Sequence, residues 1–187
     1  MDSMEANFMA KARNGMVGVR WVVIASALLV CGGCSREPKQ QSLTAVAYNY
    51  SETSFGSADV NGKWASAPLE SVKPGDVNGG GSICCVKVED NAKTARIRIE
   101  FIDGEYVGDV PIQQPWPPSG YERYLVIHVL PDRQVKLVVS AGRPWPRLDL
   151  LKARLNELEI SDYTISSPDM WELGPELYVG EDQDAGN

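Results

Sequence analysis

Two neighbouring runs, YLVIHVL (124–130) and QVKLVVS (134–140), constrain the fold more than any other feature of the chain. Both are dominated by β-branched and aromatic side chains, which fit a pleated, half-buried surface. Between them Pro131-Asp132-Arg133 supplies turn chemistry, with one φ set by a ring. The pair predicts a hairpin. A lone hairpin is not stable in water, so further elements must cover it. Candidate strands lie upstream: LTAVAYNY (43–50), ICCVKVE (83–89) and ARIRIEFI (95–102). In the third, Ile97, Ile99 and Phe101 alternate with Arg96, Arg98 and Glu100, as in a sheet with one wet face. Asn61-Gly62 marks a tight turn, and residues 65–81, rich in Gly, Pro and Ser, read as a loop. Residues 103–120, with four prolines and Trp116, read as an extended, exposed segment.

The helix pattern is RLDLLKARLNELE (147–159), where Leu148, Leu151, Leu155 and Leu158 form one apolar stripe. There is no internal repeat. The expected fold class is therefore α+β: a single domain with a largely antiparallel sheet, one packing helix in the C-terminal half, and long loops.

The N-terminus is of a different kind. WVVIASALLV (21–30) is apolar, follows Lys11, Arg13 and Arg20, and is too short to cross a bilayer as a helix. It fits the hydrophobic region of a secretory signal. Gly32 and Gly33 then precede Cys34, which resembles the lipobox of bacterial lipoproteins, with Cys31 where Leu is usual. The expectation is a signal over 1–33, lipid on Cys34, a tether over 34–42 and a periplasmic domain over 43–187. Ser35 after the lipidated cysteine favours the outer membrane, and Met16 is an alternative start. Cys31-Gly-Gly-Cys34 has the spacing of a redox motif, but it straddles the cleavage site, so that reading fails.

Charge narrows the partners. The net charge is −7, and the sequence shows no basic run that would neutralise phosphates, which argues against nucleic acid. From Glu157 to the end every charged side chain is acidic. This segment, 157–187, interleaves Tyr163, Met170, Trp171 and Tyr178 with its acids, a mixture richer in aromatics than a merely solvated tail.

Chemistry is sparse. His128 lies inside YLVIHVL with Tyr124, Val126 and Leu130 on its face, the setting of a satisfied core or rim histidine rather than a catalytic one. There is no G-x-S-x-G elbow, no phosphate-binding glycine pattern and no ligand set with zinc spacing. The expectation is no enzyme activity, no catalytic residues, no cofactor and no metal. Paired carboxylates remain open, because no two acids are singled out.

GGGSICCV (79–86) is the sharpest local signal. In a regular strand Cys84 and Cys85 point to opposite faces as two small buried hydrophobes. A vicinal disulfide is the alternative in an oxidising compartment, although adjacent Cα atoms sit closer than bridged cysteines usually do. A metal role lacks partners. The strand pattern favours buried thiols.

Taken in order, YNY (48–50), VNG (60–62), GGGSICCV, the IHVLPDRQVKLVVS hairpin (127–140) and RPWPR (143–147) resemble a family of small bacterial lipoproteins of formerly unknown function. The resemblance covers about residues 43–150. Members look like immunity proteins for type VI secretion phospholipase effectors. It implies a structural role for Gly79, Gly80, Gly81, Cys84 and Cys85, and a stoichiometric inhibitor of a lipase effector. A general envelope structural or assembly lipoprotein is the alternative, and a carboxylate hydrolase the third reading. Tyr and Trp are favoured at binding surfaces. The candidate partner-binding residues are accordingly Tyr106, Trp116, Tyr163, Met170, Trp171, Glu172, Glu176 and Tyr178.

Overall fold

A computed structural model describes residues 39–118 and 120–174. The signal-like region, Cys34, Glu176 and Tyr178 lie outside the described residues. Among the described residues eight strands and one α-helix follow in order: β1 Gln40–Asn49, β2 Phe55–Val60, β3 Lys63–Ser66, β4 Asn78–Glu89, β5 Thr94–Phe101, β6 Gly104–Pro111, β7 Arg123–Val129, β8 Val135–Ala141 and α1 Leu148–Glu157. The fold is α+β, as the sequence leads one to expect.

The strands form two sheets, where one was expected. The first has the order β4-β1-β7-β8 and the second β3-β2-β5-β6. The second sheet is antiparallel throughout, while the first contains a parallel pair, β1 with β7. A parallel pair needs a long crossover. Here the crossover is β2 through β6, so one strand of the first sheet and all of the second are inserted between two neighbours. Local hairpin signals cannot reveal such a connection.

The central strands of the first sheet, β1 and β7, are largely buried on both faces. Toward the second sheet the first presents Leu43, Ala45, Leu125, Ile127 and Val129, which meet Phe55, Ile97, Ile99 and Phe101. On its other face Val46, Tyr48, Tyr50, Val126 and Leu130 lie under Leu148, Leu151 and Leu155 of α1 and under Trp171. Double burial explains why YLVIHVL is a continuous apolar run. The second sheet has a wet outer face, and β5 alternates strictly between exposed and buried positions. Arg98 lies against Glu100 and Glu105 there, an exposed cross-strand arrangement of small energetic value.

Two segments differ from the sequence reading. Residues 65–81 are not one loop, because Lys63–Ser66 completes a hairpin around Asn61-Gly62 and β4 already begins at Asn78. The segment 103–120 is not simply exposed either. Its first half is β6, paired along the whole of β5. Beyond it the Ile112 N–H donates to Lys93 O and the Gln113 N–H to Leu137 O, both at 2.8 Å. The chain thus bridges the two sheets along one side, and Trp116 closes into the core behind it.

Candidate functional site

The glycine–cysteine signature is the first half of β4, an edge strand paired only with β1. Two register shifts mark it. Between the pairs Leu43–Val86 and Ala45–Ile83, β4 carries one residue more than β1, and the same happens between Val46–Ser82 and Tyr48–Gly79. Each is a β-bulge, which bends the strand and interrupts regular pairing. Gly79 has a φ of +142°, and a Cβ on it would lie 2.2 Å from Ala47 O. Gly80, with φ +89°, sits against the Tyr48 ring. Gly81 faces open space. The first two glycines are therefore required by backbone path and close approach, and the third is not.

The extra residue at the other bulge decides the cysteines. Ile83 and Val86 pair with Ala45 and Leu43, whose side chains lie between the sheets, so both intervening residues project to the opposite face. Cys84 and Cys85 are exposed and joined as a vicinal disulfide. The buried-thiol reading is overturned, because the sequence pattern of alternation does not include a bulge. Beside the bulged strand is a cavity of about 330 Å³, lined by Val46, Gly80, Ser82, Tyr124, Arg143 and Pro144.

Behind this cavity a buried polar cluster ties RPWPR to the sheet. The Tyr48 hydroxyl donates to Pro144 O at 2.8 Å, and the Arg147 N–H donates to Tyr50 Oη at 2.9 Å. Tyr50 Oη lies 2.8 Å from His128 Nδ1. Burial, then the Arg147 charge, pushes the His128 pKa down to about 3, so the ring is neutral. Burial also raises the Tyr50 hydroxyl well above its usual range, so it keeps its proton. Tyr48 is raised to about 12 by burial and by Glu172. Arg147 is itself buried and grips Asp149 with two bonds of 2.7 and 2.6 Å. His128 is thus a satisfied core histidine, sealed from solvent. Among the described residues no group of three His, Cys, Asp or Glu could hold a metal ion.

The candidate partner-binding residues divide. Trp116 and Trp171 are each only 7% exposed and belong to the cores, which corrects their assignment to a surface. The Trp171 ring lies tilted against Tyr50 at 5.8 Å between centroids, and its indole N–H donates to Ser166 O at 2.8 Å. Tyr106 and Tyr163 are partly buried and pack against the two cores. Met170 is 45% exposed. Glu172 is held by its backbone: its N–H donates to Pro146 O, and Leu148 N–H donates to its carbonyl, both at 2.9 Å. That parallel bridge runs Trp145-Pro146-Arg147 beside Met170-Trp171-Glu172. Trp145 (51% exposed), Met170 and Leu173 (79% exposed) are exposed within or next to these two segments. Trp145 and Leu173 were not among the sequence candidates. RPWPR carries Trp145 between two prolines, but QPWPP carries the buried Trp116 in the same setting, so this local pattern did not separate the exposed Trp from the buried one.

Fold and site together define a β-rich α+β domain of two stacked sheets with a helical layer over one, and a bulged, cysteine-bearing edge. No family model, curated protein or solved structure matches the chain.

Proposed function

We propose that this chain is an outer-membrane lipoprotein facing the periplasm, an immunity protein that binds a type VI secretion lipase effector and blocks it stoichiometrically. The observation that carries the reading is the exposure of Trp145, Met170 and Leu173 on or next to two bridged segments, with acidic Asp169 and Glu172 in the second. Isolated exposed apolar residues are ordinary, but large apolar side chains left exposed on two bridged segments are the kind of anchor residues that bind protein partners. Such a surface inhibits by occupation and needs no catalytic group. The acids around it favour a basic face on the effector and speed encounter at low salt. The motif resemblance of GGGSICCV, the hairpin and RPWPR points to the same class of partner.

The test is titration of a purified phospholipase effector encoded beside this gene with the lipidated chain. The expected result is loss of lipase activity at a one-to-one ratio. Trp145→Ala combined with Leu173→Asp should weaken binding at least about tenfold while the melting temperature stays nearly unchanged, because both side chains are exposed. Undiminished lipase activity at excess protein would refute the proposal.

A further inference from the structure

Opposite charges are sorted in this molecule in a way the linear sequence hides. Lys63 of β3, Lys87 of β4, Lys93 before β5 and Arg96 of β5 line one groove of about 640 Å³, with Glu89 and Asp109 as its acids. Asp109 is engaged with Arg96 at 3.5 Å. The ammonium groups of Lys63, Lys87 and Lys93 are exposed and take part in no ion pair among the described residues. In a chain of net charge −7 this is a local excess of positive charge in a concave setting, where fields concentrate.

The groove also marks where the chain enters the domain. Gln40, the first residue of β1, is one of its walls, and Lys39 O accepts the Asp90 N–H at 2.8 Å. Cys34 precedes Lys39 by five residues, and five extended residues span at most about 18 Å. A lipid on Cys34 would therefore hold this end of the sandwich within a short step of the bilayer surface.

We propose that the Lys63–Lys87–Lys93 groove is the membrane-facing surface of the anchored protein and takes the phosphates of anionic glycerophospholipid headgroups. The inference rests on the lipoprotein reading above and on charge complementarity. Lysine suits the task because its ammonium is a compact point charge on a flexible stem that follows mobile headgroups. Attraction of this kind acts only within about one Debye length of the surface, roughly 10 Å at moderate salt, and a tether of at most about 18 Å allows the groove to come that close. Anchor and groove then act together, since one acyl-anchored residue plus basic side chains holds a surface better than either alone.

The experiment uses the full chain purified from membranes. Its intact mass reports whether Cys34 carries lipid. The protein is placed in nanodiscs of phosphatidylcholine alone or of equimolar phosphatidylcholine and phosphatidylglycerol, and lysines are acetylated under limiting reagent and read by peptide mass spectrometry. Lys63, Lys87 and Lys93 should react at least about fivefold more slowly in the anionic discs, with protection lost near 0.5 M salt. Lys136 on β8 and Lys152 on α1 are internal references and should not change. Equal rates in both discs overturn the proposal. So does protection by inorganic phosphate in phosphatidylcholine discs, which would mark a small-anion site, or protection that appears only when a protein partner is added. If the mass shows no lipid, the anchor reading falls separately. The same labelling with equimolar vesicles then decides the groove by itself: protection supports it and its absence overturns it.

Discussion

Tyr50 stands where β1, β7 and the RPWPR segment meet. Its hydroxyl satisfies both the Arg147 N–H and His128 Nδ1, and its ring lies against His128 and Trp171. Each of these groups is buried, so each needs its partner. The neutral state of His128 has a consequence for acid stability. Its pKa is 6.5 when unfolded and about 3 when folded. Between those values the unfolded chain binds the proton and the folded chain does not, so stability is complete above pH 6.5 and falls as pH drops toward 3. This one group contributes a slope of up to about 1.4 kcal/mol per pH unit. Urea unfolding at closely spaced pH values should show it, and His128→Gln should flatten the curve in that window. A variant with the wild-type slope would mean that the ring is protonated or exposed in the folded protein.

At the scale of elements, β4 and the C-terminal segment each turn on a few positions. Gly79 permits β4 to pass against β1 at a φ that side chains avoid. Gly79→Ala should cost about 2–4 kcal/mol, through strain and the clash with Ala47 O. Gly81→Ala, made in open space two residues on, should stay within about 0.5 kcal/mol. Equal effects at the two sites, measured by chemical denaturation, would remove the bulge from its place in the fold. The segment after α1 holds a similar contrast. Trp171 fills the layer between the first sheet and α1, so Trp171→Ala should destabilise by about 3–5 kcal/mol. Leu173→Ala, two residues further and 79% exposed, should change stability by no more than about 0.5 kcal/mol. Thermal melts of the two variants that coincide would contradict this packing.

The described domain stacks the second sheet, the first sheet and the helical layer, with the outer face of the second sheet wet. Much of it was legible in the chain. Strand alternation in 95–102, the unbroken run 124–130, the Pro-Asp-Arg turn and the leucine stripe of α1 are local consequences of side-chain period, and the structure contains each. His128 too is where its neighbours placed it, in a core. What was not legible depends on contacts between distant residues. The parallel β1–β7 pair is separated by five strands, so no turn chemistry announces it. Trp116 and Trp171 lie in segments without periodicity, and only the surfaces they close against decide that they are buried rather than offered to a partner. Cys84 and Cys85 left the core because a single extra residue in β4 turned both to the same side, and a period-two pattern does not show where the pairing with β1 skips a residue. The basic groove had no trace in the linear charge pattern: three strands and a turn each supply one cation. By itself, then, the sequence determined the type and inward face of β5, β7, β8 and α1, where the spacing of apolar residues is clear, while β2, β3, β6 and the bulge of β4 left no such period. The tertiary structure alone decided which faces meet, because that depends on long-range pairing that brings together residues no local period connects.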